Sequence, residues 1–212
     1  MMQYKDFYWS FFAPKIKKSI AARYSTELAE RSVQNGKAEY RGLLERADDI
    51  GPGNPMAMNA YFAYVFVAAW LGSGKLISPD GMANIMSDVL HKMRPFFAMT
   101  NLNSRRGEKK WYRDMKKYEA WAKKNLSRYP NNWVVEFDET RHRDGSFNYF
   151  TQCPICSFCQ REGISEIMPP LCETDKLMFE MQHGVLHREH TIAGGDGICD
   201  YWVVGDKFKN PQ

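Results

Sequence analysis

The residues best suited to chemistry are concentrated in the last quarter of the chain, between Cys153 and Asp206. This segment contains all five cysteines and three of the five histidines, together with several carboxylates. Thiols, imidazoles and carboxylates supply nucleophiles, proton carriers and metal ligands, so we place the candidate site here. The residues concerned are Cys153, Cys156, Cys159, Cys172, Asp175, His183, His187, His190, Asp196, Cys199 and Asp200.

Residue types alone leave three interpretations of this segment open. In the first, one cysteine acts as a nucleophile or orients a water molecule, a histidine moves the proton, and Arg188 binds a substrate carboxylate. In the second, the C-x-x-C-x-x-C run from Cys153 to Cys159 holds zinc or an iron–sulfur cluster, with Cys172 or Cys199 as a further ligand. In the third, the cysteines are small buried hydrophobic residues, which is their commonest environment.

Two of the cysteines are predicted to lie near the start of a helix. Cys153 follows a predicted strand and precedes Pro154, a residue that favours the first turn of a helix. The positive end of the helix dipole lowers the pKa of a nearby thiol, so the sequence predicts a nucleophilic thiolate at Cys153. Cys172 follows Pro170 by two residues and has Asp175 one turn further on the same face. That carboxylate opposes ionisation of the Cys172 thiol, so the two cysteines are not equivalent.

A hairpin near the C-terminus is predicted to run from Val185 to Ala193 and from Ile198 to Val204, turning through the Gly-rich residues 194–197. Alternation along its first strand separates the side chains onto two faces. One face carries Leu186, Arg188, His190 and Ile192, and the other carries His187, Glu189 and Thr191.

The register of this hairpin decides which residues join those faces. If Ala193 pairs with Ile198, Cys199 lies on the face of Arg188, and Asp200 lies on the opposite face. A shift of one residue would exchange the partners, and the sequence does not choose between the two registers.

The elements that must position these residues change in character near residue 130, where the apolar repeat shifts from 3.6 residues to 2. Residues 1–130 are predicted to be helical, and residues 131–212 to form an antiparallel-sheet part that carries the Cys/His/Asp site. The fold class is α+β, with a four-stranded antiparallel sheet of two hairpins and two helices inserted between them. We expect both parts to form one compact domain.

The predicted elements of the sheet part follow from turn signals and periodicity. Strands are expected at 133–140 and 146–152, joined through Arg143-Asp144-Gly145-Ser146, which contains an Asp-Gly hairpin signal. Helices are expected at 154–162 and 170–182.

The helical part is predicted to contain a buried central helix and a basic outer helix. Residues 56–71 are apolar on nearly all sides, which is typical of a helix surrounded by others. Between Ser104 and Tyr129 there are ten basic and three acidic residues. An apolar stripe at helical spacing indicates that the lysines there face water; it consists of Trp111, Met115, Tyr118 and Ala122. Pro14 is expected to break or restart the first helix.

Composition limits the classes of protein to consider. At 212 residues and 44% hydrophobic, the chain is long enough for one sizeable core, and its net charge of +4 is too small to indicate nucleic-acid binding. The odd number of clustered cysteines and the lack of a signal-peptide pattern favour a cytoplasmic location. The apolar run 56–71 is shorter than the roughly 20 residues that span a bilayer, so no membrane partner is expected.

Three segments carry a resemblance to a known family: a strand-Cys-Pro element ending at Pro154, LCETD, and HREHTIAGGDGICDYW. They resemble the L-2-amino-thiazoline-4-carboxylic acid hydrolase family, whose pattern is a cysteine after a strand, C-x-x-D, R-x-x-T-[IL], a Gly-rich turn and C-D-aromatic. The matching residues here are Cys153, Cys172, Asp175, Arg188, Thr191, Gly195, Cys199 and Asp200. Residues 51–71 also resemble the helical N-terminal region of the family.

The resemblance implies hydrolytic opening of a small cyclic amidine- or isothiourea-type ring, such as 2-amino-thiazoline-4-carboxylate, to an N-carbamoyl-cysteine. The expected steps are attack on the ring carbon between nitrogen and sulfur and expulsion of the ring sulfur. The expected catalytic residues are Cys153, Cys172, Asp175, His190, Cys199 and Asp200. The expected substrate-binding residues are His187, Arg188, Thr191 and Gly195.

The alternative function is a zinc or iron–sulfur protein, or a small-ligand-binding module without turnover. Its metal ligands would be Cys153, Cys156, Cys159 and Cys172, of which Cys156 and Cys159 lie outside the family pattern. The hydrolase interpretation predicts no cofactor and no nucleic-acid partner. It predicts a small carboxylate-bearing heterocycle as the partner, and it is compatible with a homo-oligomer.

Overall fold

A computed structural model describes residues 1–142 and 144–208, so Arg143 of the predicted hairpin turn lies outside the described residues. Within these ranges the chain forms eight α-helices and one four-stranded antiparallel sheet, which confirms the α+β class. The helices are α1 Asp6–Arg23, α2 Thr26–Arg46, α3 Ala57–Gly72, α4 Pro79–His91, α5 Arg94–Phe97, α6 Arg105–Asn125, α7 Pro154–Arg161 and α8 Met168–Met181. The strands are β1 Val134–Phe137, β2 Ser146–Gln152, β3 Gly184–His187 and β4 Cys199–Gly205.

The sheet has the order β1-β2-β4-β3, so β4 lies between β2 of the first hairpin and its own hairpin partner β3. Strand β2 and helix α7 begin at the residues that the sequence predicted. Strand β1 is shorter than predicted because the Asp138 side chain accepts hydrogen bonds from the Thr140 backbone N–H and hydroxyl, which turns the chain after Phe137.

The second hairpin was predicted too long. Strand β3 ends at His187, and residues 188–198 form a loop with one 3₁₀ turn, Ile192–Gly194. The Asp200 carboxylate accepts hydrogen bonds from the backbone N–H groups of Glu189 and His190. These bonds replace pairing with β4, so the strand ends before the loop. His187 pairs with Trp202, two residues away from the predicted register, and a shift of two residues preserves the alternation of faces.

Helix α3 is the central helix of the N-terminal part, as predicted, with eleven of its sixteen residues buried. It packs closely on α2, where the Ser32 hydroxyl donates to the Ala69 carbonyl at 2.6 Å. A Cβ atom on Gly72 would overlap the Ser32 carbonyl oxygen and the backbone of Gly36. Only glycine allows this main-chain contact between the two helices.

Helix α1 continues through Pro14, so the predicted break there is wrong. The missing backbone donor of proline weakens a helix locally. Burial of Phe12, Ala13 and Ile16 on either side of Pro14 maintains the helix despite this loss.

Helix α6 contacts the sheet through the apolar stripe that was predicted to face inward. Met115, Tyr118 and Ala122 are buried, and the Tyr118 hydroxyl donates to the Trp133 carbonyl at 2.6 Å, just before β1. One hydrophobic cluster includes residues from both parts of the chain. The division near residue 130 into a helical and a sheet part of one domain stays a prediction. None of the described helices is long and apolar enough to cross a membrane.

Candidate active site

The guanidinium of Arg188 lies where the end of β3, helix α8 and strand β4 meet. Its side chain is only 2% exposed. One nitrogen, Nη1, donates to the Asp175 carboxylate at 3.0 Å and to the Tyr201 hydroxyl at 3.3 Å. The other, Nη2, donates to the Cys172 carbonyl at 2.8 Å and to the Glu173 carboxylate at 3.3 Å. Arg188 therefore fixes the first half of α8 against the sheet and brings Asp175 to Tyr201.

The Asp175 carboxylate has one oxygen bound and one available. Its Oδ2 accepts the Tyr201 hydroxyl at 2.5 Å as well as the Arg188 bond. Its Oδ1 accepts no hydrogen bond within residues 1–142 and 144–208, and 27% of the side chain is exposed. Burial raises the pKa of Asp175, against the lowering effect of Arg188 and of the Tyr201 hydrogen bond. A positioned carboxylate with a raised pKa and a free oxygen is suited to accept a proton.

Two thiols accompany this carboxylate. Burial, with a contribution from the Asp175 charge, raises the pKa of Cys172 to about 12. Burial also raises the pKa of Cys199, whose sulfur accepts the Ile192 backbone N–H at 3.2 Å. Arg188 lowers both thiol pKa values, but less than burial raises them. Both groups are therefore neutral thiols at physiological pH.

Cys153 occupies the predicted position at the N-terminus of α7 but does not have the predicted reactivity. The backbone N–H groups of Ile155 and Cys156 lower its pKa, as a helix N-terminus should. Burial raises the pKa more strongly, so the net shift is upward. The prediction of a helix-activated thiolate at Cys153 is therefore wrong.

Cys156 and Cys159 are buried in the core, and α7 packs there through Phe158, whose ring lies 5.1 Å from that of Tyr64 on α3. The described residues contain one group of three potential metal-ligating atoms within 4.8 Å of one another, and it includes no cysteine. The four sulfurs of the alternative metal site are thus not gathered at ligand spacing. The absence of a cofactor stays a prediction.

Asp200 and His190 lie apart from the Arg188 cluster. Alternation along β4 directs Asp200 to the side of the sheet opposite Cys199 and Tyr201. The Asp200 carboxylate holds the loop by accepting the backbone N–H of Glu189 at 3.1 Å and of His190 at 2.7 Å. The His190 ring lies beside Asp200, with Nδ1 3.5 Å from Oδ2. Asp200 therefore does not face the Arg188 cluster, and a catalytic role for Asp200 or His190 stays a prediction.

Three further predicted substrate-binding residues have structural contacts. The His187 ring lies 4.7 Å from Trp202 on the same outer side of the sheet. Thr191 caps the 3₁₀ turn, its hydroxyl accepting the Gly194 N–H at 3.0 Å. Gly195 has a φ of 99°, a conformation that favours glycine. These contacts shape the loop that follows Arg188, and contact with a substrate stays a prediction for all three.

Tyr201 was not among the predicted site residues, although it contacts both Asp175 and Arg188. The sequence contained a signal for it. Tyr201 lies two residues after Cys199 in a strand, so alternation places both side chains on one face. Glu173 was also missed, because an exposed glutamate next to a cysteine has no distinguishing pattern.

Fold and site together define an α+β protein with a buried Arg–Asp–Tyr cluster flanked by thiols. The family model described as L-2-amino-thiazoline-4-carboxylic acid hydrolase matches residues 58–203, which include this cluster. The chain belongs to that family. Searches of curated proteins and of solved structures gave no significant match.

Proposed function

We propose that the protein is a hydrolase that opens a small cyclic amidine- or isothiourea-type ring resembling 2-amino-thiazoline-4-carboxylate. The family description supports a hydrolase acting on such a carboxylate. The observation that carries the proposal is the Asp175 carboxylate, which Arg188 and Tyr201 hold by one oxygen while the other accepts no hydrogen bond from a described residue. Cys172 lies one turn away on the same helix.

The chemistry consumes one water molecule. Asp175 Oδ1 accepts a proton from the water as the water oxygen bonds to the ring carbon between nitrogen and sulfur, and the electron pair of the ring C=N bond moves to the nitrogen. The carbon–sulfur bond then breaks as the carbon–oxygen double bond forms. The proton held by Asp175 goes to the departing ring sulfur, and the second proton of the attacking water goes to the ring nitrogen. The product is an N-carbamoyl-cysteine with a free thiol. Tyr201 and Arg188 keep Asp175 oriented through both steps.

Direct attack by water agrees better with the thiol pKa values than attack by a cysteine. A thiol with a pKa of about 12, as at Cys172, is almost entirely protonated at neutral pH. Covalent catalysis would first require Asp175 to remove the proton from Cys172. We therefore assign Cys172 and Cys199 to the wall of the site, where they shield Asp175 from bulk water.

Turnover of 2-amino-thiazoline-4-carboxylate, followed by mass spectrometry of the product, tests the proposal. Asp175→Asn should lower kcat by about 10²–10⁴-fold, because the amide cannot accept the proton. Cys172→Ser should retain kcat within about tenfold if water attacks directly, because the serine hydroxyl occupies similar space.

Asp114→Asn is the matched control, since Asp114 is a surface carboxylate that forms an ion pair with Lys110 on α6. It should leave kcat unchanged. Absence of turnover by the wild-type protein on this and related five-membered rings would refute the proposed reaction. Full activity of Asp175→Asn would refute the role of the carboxylate.

The predicted role of Arg188 in binding the substrate carboxylate requires an available donor. We infer that Nη2 is that donor, because its partner Glu173 is 56% exposed and easily displaced. A substrate carboxylate would replace the Glu173 carboxylate, whereas Asp175 would keep its bond to Nη1.

Glu173→Ala should therefore lower KM for the carboxylate substrate severalfold, since it removes the competing anion, and should leave KM for the corresponding amide unchanged. Lys176→Ala is the control, because Lys176 pairs with Glu173 but does not contact Arg188. Equal changes in KM for carboxylate and amide would argue against carboxylate binding by Arg188.

A further inference from the structure

The outer side of the sheet carries a second cluster of potential ligands, separate from the Arg188 cluster. Glu189, His190 and Asp200 each offer one ligand atom, and these three atoms lie within 4.8 Å of one another. No other group of three such histidine, cysteine, aspartate or glutamate atoms occurs in the described parts of the chain. The grouping joins residues from the loop after β3 to the second residue of β4.

The distance between two of these atoms fits shared coordination. His190 Nδ1 lies 3.5 Å from Asp200 Oδ2. Two ligands at about 2.1 Å from one tetrahedral ion lie about 3.4 Å apart. His190 Nδ1 and Asp200 Oδ2 could therefore bind one ion without any movement of their side chains.

The hydrogen bonds of this pair are incomplete. The Nδ1 atom of His190 is shielded from solvent and has no hydrogen-bond partner among the described residues, although 46% of the side chain is exposed. The Asp200 side chain is 7% exposed, and its Oδ1 accepts both backbone N–H groups of the loop. Its Oδ2 accepts no hydrogen bond from any described residue. A buried nitrogen without a partner is costly, and a cation between Nδ1 and Oδ2 would satisfy both atoms.

We propose that Glu189, His190 and Asp200 bind a divalent transition-metal ion, with Zn²⁺ as the best match. One imidazole and two carboxylates suit zinc, whereas calcium and magnesium prefer oxygen ligands alone. Glu189 is exposed and completes the set from the solvent side. Three protein ligands leave one position of a tetrahedral ion for water.

The ion would attach the loop 188–198 to β4 at a second point, next to the bonds that Asp200 Oδ1 already makes. Arg188 immediately precedes these ligands, so the ion would also restrain the backbone of the residue that holds Asp175. The metal site itself does not depend on the proposed hydrolase function.

Calorimetric titration of the untagged, chelator-treated full-length protein with Zn²⁺ tests the proposal. One equivalent should bind, and the melting temperature should rise with the ion concentration. His190→Ala should weaken binding at least tenfold. The Nδ1 atom of His190 makes no hydrogen bond to a described residue and 46% of the side chain is exposed, so its removal should not impair folding. Glu189→Gln, at an exposed position, is the second variant and should also weaken binding.

His183 provides a matched control. Its Nδ1 lies 3.4 Å from Asp206 Oδ2, nearly the same spacing, but no third ligand is nearby within the described residues. His183→Ala should leave Zn²⁺ binding unchanged. The proposal is overturned if no equivalent binds more tightly than about 100 μM, a free energy of roughly −5.5 kcal/mol. It is also overturned if His183→Ala weakens binding as much as His190→Ala, or if only Cys156→Ser abolishes binding.

Discussion

At the scale of single residues, two buried asparagines differ sharply in their hydrogen bonds. Asn132 and Asn148 are both 0% exposed. The Asn132 amide donates to the Ile50 carbonyl at 2.9 Å, and its oxygen accepts from the Asn54 side-chain amide and the Trp133 N–H. Neither polar atom of the Asn148 amide has a partner among the described residues. Burial alone therefore does not reveal what an asparagine contributes to stability.

Replacing each asparagine with alanine should change the free energy of unfolding by different amounts. Asn132→Ala should lower the free energy of unfolding by roughly 2–4 kcal/mol, because it leaves several buried groups without partners. Asn148→Ala should change it by less than about 1 kcal/mol, because no hydrogen bond is lost. Urea unfolding measures both values. Equal losses would show that Asn148 is bonded in solution, for example to a buried water molecule.

Some properties of the site residues could be predicted from the sequence and others could not. Cys172 and Asp175 could be paired from helical spacing, and the structure places both beside Arg188. The sign of the Cys153 pKa shift could not be predicted, because it depends on burial by elements distant in sequence.

At the scale of elements, a bidentate ion pair links α1 to α4. Arg23 donates to both oxygens of the Asp88 carboxylate, at 2.7 Å and 2.9 Å, and the Ser19 hydroxyl donates to the same carboxylate. Hydrogen bonding to Arg23, followed by that to Ser19, lowers the pKa of Asp88 to about 2. The two helices therefore share a contact that requires an ionised carboxylate.

This contact should make stability depend on pH in the acid range. The pKa of Asp88 is lower in the folded than in the unfolded chain, where it is about 3.9. Its contribution is therefore complete above about pH 5 and is lost as the pH falls toward 2. The difference in unfolding free energy between the wild type and Asp88→Asn, from urea unfolding at several pH values, should shrink across this window. A constant difference would contradict the assignment.

Periodicity predicted the elements well where local signals decide them. Strand β2 and the start of α7 follow from alternation and from Pro154. The end of β3 could not be predicted, because the Asp200 carboxylate that captures the loop lies in the next strand. The break predicted at Pro14 is wrong for a similar reason, because the burial of neighbouring side chains against other elements maintains α1 through this residue.

At the scale of the whole molecule, helices and sheet share one core. Phe158 of α7 packs on Tyr64 of α3, and Val135 and Phe150 of the sheet belong to the same buried cluster as Trp70. The change of period near residue 130 predicted the α+β class, but it could not show that Asp175, Arg188 and Tyr201 meet. Their contacts join three separate elements and leave no local pattern.

The shared core predicts that the protein unfolds as one unit. Urea unfolding followed by far-ultraviolet circular dichroism and by tryptophan fluorescence should give coincident transitions. A fragment of residues 1–130 should not fold alone, because it would expose the surface of α3 that packs on α7. Two separate transitions, or a stable fragment, would show that the helical part is an independent domain.

The main-chain contact between α2 and α3 has a consequence for Tyr64, which lies eight residues before Gly72 on α3. The backbones of Gly36 and Gly72 are in direct contact, so α3 cannot move closer to α2 at this point. The contact therefore cannot make room for a larger side chain elsewhere on α3. Extra volume at Tyr64 must therefore displace its partner Phe158 and the short helix that begins beside Cys153. Enlarging the side chain at position 64 would thus move the Cys153 thiol of the candidate site, although the two residues are far apart in the sequence.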